Sequence, residues 1–227
     1  METEGSLLAG VWKRARSDEQ KQHRRAALLH AATRMLEQSP VDEISLSTIA
    51  REANISKASV YRYFESREEL FLHLMLEAME RWSNAVIARL QRLSSPGDAR
   101  GFASAITAAT MEHETFPRLA SVLATVLERN VSTDVVVEFK LGFMQPMGGL
   151  LQAIGQALPE LSATQVRKLV EVTYFQMVGM WPAAHPAPAV HEALQRPDLA
   201  HACVDFESSL EQTLRVTIAG LRALAEE

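Results

Sequence analysis

Between Lys57 and Tyr63 the chain carries Lys57, Ser59, Tyr61, Arg62 and Tyr63, with no acidic side chain among them. An ammonium, a guanidinium and three hydroxyls on one short segment can donate to phosphate oxygens and to base edges. The other groups that could do chemistry are weaker. His185, His191, His201, Cys203 and Asp205 share one region, but their spacings match no standard ligand pattern, so no metal is expected there. Glu112 and Glu114 flank His113, and adjacent charges alone do not make a catalytic pair. No Gly-rich phosphate loop, nucleophile elbow or His-Glu-x-x-His occurs. The expectation is a protein that is not an enzyme and has no cofactor.

The cationic segment needs elements that hold it outward. Ser45 is a plausible N-cap for a short helix from Leu46 to about Ala53. Asn54 follows where a helix end needs a left-handed residue, which asparagine tolerates. Ile55 is an apolar plug, and Ser56 caps a second short helix from Lys57 to about Phe64. Val60 and Phe64 hold that helix to a core by one side and leave the cationic side free. Two short helices across the turn Asn54-Ile55-Ser56 form a helix-turn-helix pattern. A helix at 21–38 precedes it, with Leu28, Ala31, Ala32 and Leu36 on its apolar side, and ends at Ser39-Pro40. A long helix at 67–93, capped by Ser66, follows it.

The tract Ala53-x-Ile55-Ser56-x-x-x-Val60-Tyr61-x-Tyr63-Phe64-x-Ser66-Arg67-Glu68-x-Leu70 resembles the DNA-binding domain of TetR-family transcriptional regulators. The similarity covers about residues 22–82, roughly a quarter of the chain. Asn54 stands where the family usually has glycine, and Arg67 where it usually has lysine. Ala58 takes a position where a small residue is common. The resemblance implies that Lys57, Ala58 and Ser59 face base edges. Tyr61 and Tyr63 bond phosphates, and Ser47, Thr48 and Arg67 hold the DNA backbone. It also implies that the rear helices form an effector pocket and a dimer interface.

The remaining sequence is read as helical throughout. Period-three-to-four patterns dominate, and Gly (10) and Pro (9) are scarce and clustered. Helices are expected near 98–112, 116–129, 133–157, 163–181 and 203–224, with Pro146 kinking the third and 182–197 as a connection that holds one helical turn around Val190–Leu194. The fold class is all-α. A flexible basic arm at 1–20 carries Lys13, Arg14 and Arg16. A three-helix helix-turn-helix domain at 21–82, with its motif at 45–64, joins by a long helix to a helical effector-binding and dimerisation domain at 83–227.

The net charge of −5 argues at first against a polyanion partner, but its distribution does not. Residues 13–67 carry 11 Lys and Arg against 7 Asp and Glu, and residues 68–227 carry 12 against 19. A basic front and an acidic rear place the polyanion at the front. The single cysteine excludes an internal disulfide. The N-terminus does not read as a signal peptide, and the longest apolar run is about half a membrane span. The chain is therefore expected to be cytoplasmic, with no membrane partner.

In the rear domain, Phe102, Met111, His113, Phe116, Phe143, Met147, Tyr174, Met177 and Trp181 are the candidate ligand-binding residues. They suggest an apolar cavity with a few polar points such as His113, Glu114 and Gln176, suited to a small lipophilic effector. Val170, Tyr174 and Met177 on one of the last two long helices, and Phe206, Leu210, Leu214 and Ile218 on the other, are apolar stripes that pack either against a second copy or within one subunit. The expected function is a DNA-binding transcriptional regulator, a ligand-released repressor that binds a palindromic operator as a homodimer. The rival is a helical ligand-binding or enzymatic protein that no longer reads DNA. Against it, 57–63 has gained no acidic residue.

Overall fold

The computed structural model describes residues 3–224, with side chains from Glu19 onward. Its helices are α1 (Thr3–Leu36), α2 (Leu46–Glu52), α3 (Lys57–Val60), α4 (Arg67–Leu90), α5 (Ala99–Glu112), α6 (Thr115–Val122), α7 (Thr133–Met144), α8 (Met147–Ala157), α9 (Ala163–Ala184), α10 (Pro188–Leu194) and α11 (Phe206–Ala223). No strand occurs among the described residues. The chain divides into two compact units. The front unit takes in residues up to Leu74 with 126–135, and the rear unit holds 75–125 and the chain from Val136 on. Helix α4 runs through both.

In the front unit, α1 buries Leu28, Ala31, Ala32 and Leu36. The helix begins at Thr3, where an irregular arm was expected up to residue 20. Leucine, alanine, lysine, arginine, glutamate and glutamine dominate 7–20, and their helix propensity outweighs the lack of an apolar stripe. The side chains of Lys13, Arg14 and Arg16 lie outside the described residues. Ser45 caps α2 by accepting from the Thr48 N–H at 3.1 Å, and the Thr48 hydroxyl accepts from the Ser45 N–H at 3.0 Å. This reciprocal box satisfies two donors that the helix itself leaves open. Asn54 has φ +54°, the left-handed turn that its position requires. Ser56 caps α3 and Ser66 caps α4, each through its hydroxyl. Glu68 and Glu69 sit in the first turn of α4.

In the rear unit, Asp98 caps α5 and Ser162 caps α9. Asp205 caps α11, and the hydrogen bond from Ser208 holds its carboxyl below the usual carboxylate range. Gly97, at φ +80°, turns the chain between α4 and α5. Its N–H donates to Ala157 at 2.7 Å, and its carbonyl accepts from Arg222 at 2.6 Å. Arg222 also pairs with Glu160.

Two expectations about helix ends are corrected. Pro146 does not kink one helix. It stands between α7 and α8 as the N-cap of the second, because proline lacks the N–H that would continue the ladder. Helix α9 runs past Pro182 to Ala184. Two residues from its end, the proline disturbs only the last turn. The helical turn expected around Val190–Leu194 within the connection is present and starts earlier than expected, as α10, with Pro188 at its first position, where the missing N–H costs nothing.

The apolar stripes of the last long helices pack within the subunit. Met177, Phe206, Leu210, Leu214 and Ile218 are all buried, and α11 lies against α5 and α9. Val170 and Tyr174 are half-buried. The outer sides of α9 and α11 show a different set of residues, with Phe175 62% exposed and Val216 65% exposed.

Candidate nucleic-acid interface and apolar cavity

Helix α3 is anchored from one side only. Val60 is 0% exposed and Phe64 is 1% exposed, and both belong to the core of the front unit. The helix ends at Val60, short of the expected Phe64, and 61–63 follow as a turn. The side away from the core carries Lys57 and Ala58 on the helix and Tyr61 and Arg62 on the turn, all exposed. Tyr61 is 56% exposed, which is unusual for a ring of its size. An aromatic hydroxyl beside an ammonium and a guanidinium, on a segment held from behind, presents donors outward with little freedom to fold away.

The other sequence-predicted contacts are placed differently. Ser47 is exposed, and Tyr63 and Ser59 are half-buried. The Ser59 hydroxyl pairs with the Ser56 hydroxyl at 2.8 Å. Thr48 is occupied by the α2 cap, since its hydroxyl also donates to the Ser45 carbonyl at 2.8 Å. Arg67 is turned inward. Its Nη1 donates to the carbonyls of Asp42 and Ile44, both at 3.0 Å, and its Nε donates to Glu68 at 2.9 Å. Its side chain therefore ties the connection before α2 to the start of α4, instead of reaching out for a phosphate. Arg34 does similar work, pairing with Glu52 at 2.8 Å and so joining α1 to α2.

The rear unit holds a half-open apolar cavity of about 190 Å³. Six of the expected ligand-binding residues line it: Phe102, Phe116, Phe143, Met147, Tyr174 and Met177. Met111, His113 and Trp181 do not. His113 is the C-cap of α5, and Trp181 stacks on His185 at 3.9 Å and packs edge-on against Phe206. The expected polar points are absent from the lining as well. Glu114 is the N-cap residue of α6, and Gln176 donates to Thr217 on α11 at 3.1 Å. Trp82, which sequence reasoning placed only in the core, is part of the wall. It stacks on Phe116 at 4.8 Å, and its Nε1–H donates to the Thr110 hydroxyl at 3.0 Å.

Both ends of the chain match one family. Residues 28–74 match the bacterial regulatory proteins of the tetR family, and residues 76–225 match the tetracyclin repressor-like C-terminal domain. The chain belongs to the TetR family. It is a DNA-binding transcriptional regulator with a helix-turn-helix front and a helical rear. Among curated proteins it is 40% identical over 53 residues to a nucleoid occlusion factor, SlmA, of Idiomarina loihiensis, covering 23% of this chain and 27% of that one. It is 34% identical over 73 residues to the HTH-type transcriptional regulator BetI of Agrobacterium fabrum, covering 32% of this chain and 35% of that one. The matches span about a quarter to a third of these relatives' lengths. A possible TetR-family transcriptional regulator from Streptomyces coelicolor A3(2) shares the fold at a TM-score of 0.56 and 20% identity, covering 88% of this chain and 99% of that one. Among the described residues of this TetR-family chain, no helix is long and apolar enough to cross a membrane, and no group of three His, Cys, Asp or Glu could hold a metal ion.

Proposed function

We propose that the protein is a ligand-released repressor that binds a palindromic operator as a homodimer. The observation that carries this reading is the outward, wholly non-acidic face of α3 and the turn after it, in a chain that also holds a half-open apolar cavity. Lys57 and Ala58 approach base edges in the major groove, with Ser59 at the helix start. Tyr61 and Tyr63 donate to phosphates, and Ser47 adds a backbone contact from α2. Arg67 and Thr48 act from behind, by fixing the turn and the cap that orient α3.

The dimer forms through the outer faces of α9 and α11. Phe175 and Val216 are exposed there, and Gly179, Ala219 and Gly220 leave room for a partner helix to approach. A two-fold through this face presents two copies of α3, which is why the operator is palindromic. The cavity takes a small lipophilic effector. A ligand preferred by one spacing of the two DNA-reading units shifts the population toward that spacing, and only by its differential affinity for the two states.

The test is fluorescence anisotropy with the region upstream of the protein's own gene, in excess non-specific competitor and across a salt series. Retained binding with a steep salt slope is expected. If neither this region nor any fragment from a genome-wide selection survives competitor, the reading is wrong.

A further inference from the structure

The cavity of the rear unit has a chemistry narrower than lipophilic. Ten of its lining residues are buried, and the residues at its half-open edge are Phe143, Met147, Val170, Glu171, Tyr174 and Phe175. Glu171 is the only charged residue of the lining. It lies at the exposed edge and pairs with Lys168 at 2.9 Å.

Two buried polar side chains belong to the wall, and both donors are already used. Trp82 donates to Thr110, whose own hydroxyl donates to the Ile106 carbonyl at 2.9 Å. Thr173 donates to the Leu169 carbonyl at 2.6 Å. The one further hydrogen-bonding donor of the lining is the Tyr174 hydroxyl, on a half-buried residue at the edge. A ligand carbonyl, carboxylate or phosphate carried past it into the interior therefore meets no free side-chain donor, and would be desolvated without compensation.

Size narrows the class again. An apolar protein cavity of about 150 Å³ stays dry and accepts benzene. At about 190 Å³ this one has room for a ring with one or two small substituents. Methionines at positions 79, 147 and 177 give parts of the wall a flexible, polarizable surface. Phe102, Phe116 and Trp82 offer ring faces and edges.

We infer that the cavity binds a compact, uncharged apolar molecule about the size of one substituted aromatic ring, and holds it without a hydrogen bond from the interior. This rests on the reading of the rear unit as the effector-binding part. Affinity comes from dispersion and from apolar surface removed from water, so the heat-capacity change on binding is negative.

The experiment is titration calorimetry on the full-length protein without DNA, using p-xylene, p-toluate and dodecanoate as probes, at two temperatures. Saturable p-xylene binding with a negative heat-capacity change is expected, with p-toluate at least tenfold weaker because its carboxylate has no interior partner. Ile106→Phe, which fills the wall, should abolish p-xylene binding. Met147→Phe at the half-buried edge is the second variant and should weaken it if the first does not fold. Equal or tighter binding of p-toluate or dodecanoate overturns the inference, as does the absence of saturable p-xylene binding.

The same samples are then read by DNA anisotropy. Loss of p-xylene binding with intact DNA binding leaves the DNA-reading assignment standing and overturns only the cavity chemistry. A protein that binds p-xylene and keeps its DNA upholds the cavity chemistry and overturns ligand release by this class.

Discussion

Arg67 Nη1 donates to the Ile44 carbonyl at 3.0 Å, across 23 positions of sequence. The same nitrogen reaches Asp42, and Nε reaches Glu68, so one guanidinium closes the loop between α1 and α2 onto α4. Lysine keeps the charge but not the fork. Arg67→Lys is therefore expected to lower stability by about 1–2 kcal/mol in urea unfolding. Arg67→Gln, which removes the charge as well, should leave the slope of log K against log salt unchanged, because no phosphate contact is removed. A slope shallower by about 0.9 would return Arg67 to the DNA surface.

Lys57 makes the opposite prediction. Its side chain is exposed at the start of α3, so Lys57→Ala should leave helicity and melting unchanged. Preference at one base pair should relax while the salt slope stays unchanged, as for a contact to a base edge. A slope shallower by about 0.9 with unaltered preference would make Lys57 a phosphate contact instead. Tyr61→Phe belongs in the same series. Removal of its hydroxyl should weaken binding by roughly 10- to 100-fold, since a hydrogen bond to a charged group is worth roughly 1.5–3 kcal/mol. Unaltered affinity would remove Tyr61 from the interface.

Where a residue's type answers a local demand, the sequence was readable. Ser45, Ser56 and Ser66 cap the helices that were expected from them. Asn54 takes the positive φ of a turn that glycine usually fills. Val60 on α3 and Phe64 just beyond it point inward because nothing else in 57–64 can anchor the segment. Direction was harder to read. Arg67 has the right charge for a phosphate, yet carbonyls of the α1–α2 connection stand closer to it. In α9, Met177 is buried and Phe175 is exposed, two positions apart on one helix. An apolar pattern identifies the helix but not which of two apolar edges its own subunit covers. His113 and Trp181 were drawn to the cavity by residue type, although tertiary packing directs them elsewhere.

Asn54 carries a backbone strain that can be measured directly. At φ +54° a Cβ-bearing residue without a local hydrogen-bonding side chain is disfavoured by roughly 1–2 kcal/mol. Asn54→Ala should cost about 1 kcal/mol in urea unfolding, whereas Asn54→Gly should be neutral or slightly stabilising. Equal losses in both variants would mean that the amide side chain, and not the turn, matters at this position.

Trp82 and Thr110 form a buried donor–acceptor pair at 3.0 Å, with Thr110 0% exposed. Thr110→Val keeps the shape and strands the indole N–H. A loss of about 1–3 kcal/mol is expected in urea unfolding. Trp82→Phe combined with Thr110→Val should recover part of the cost of the single valine variant, because no unpaired donor remains. Additive losses in this double-mutant cycle would show that the bond contributes little and that the cost is packing alone.

The outer face of α9 and α11 gives the test of assembly. Val216 is 65% exposed, and the flanking small residues make room for a partner helix. Val216→Glu places a charge at the centre of that face and changes nothing inside the subunit. Sedimentation should then show a dimer mass for the native chain and a monomer mass for the variant, with the same helical signal. DNA affinity should fall with the mass, because a monomer engages a single half-site and loses the gain in effective concentration that a linked second site provides. A variant that keeps the dimer mass would move the interface off these helices. The exposed apolar residues of α7, Val137, Leu141 and Met144, would then be next to carry the same substitution.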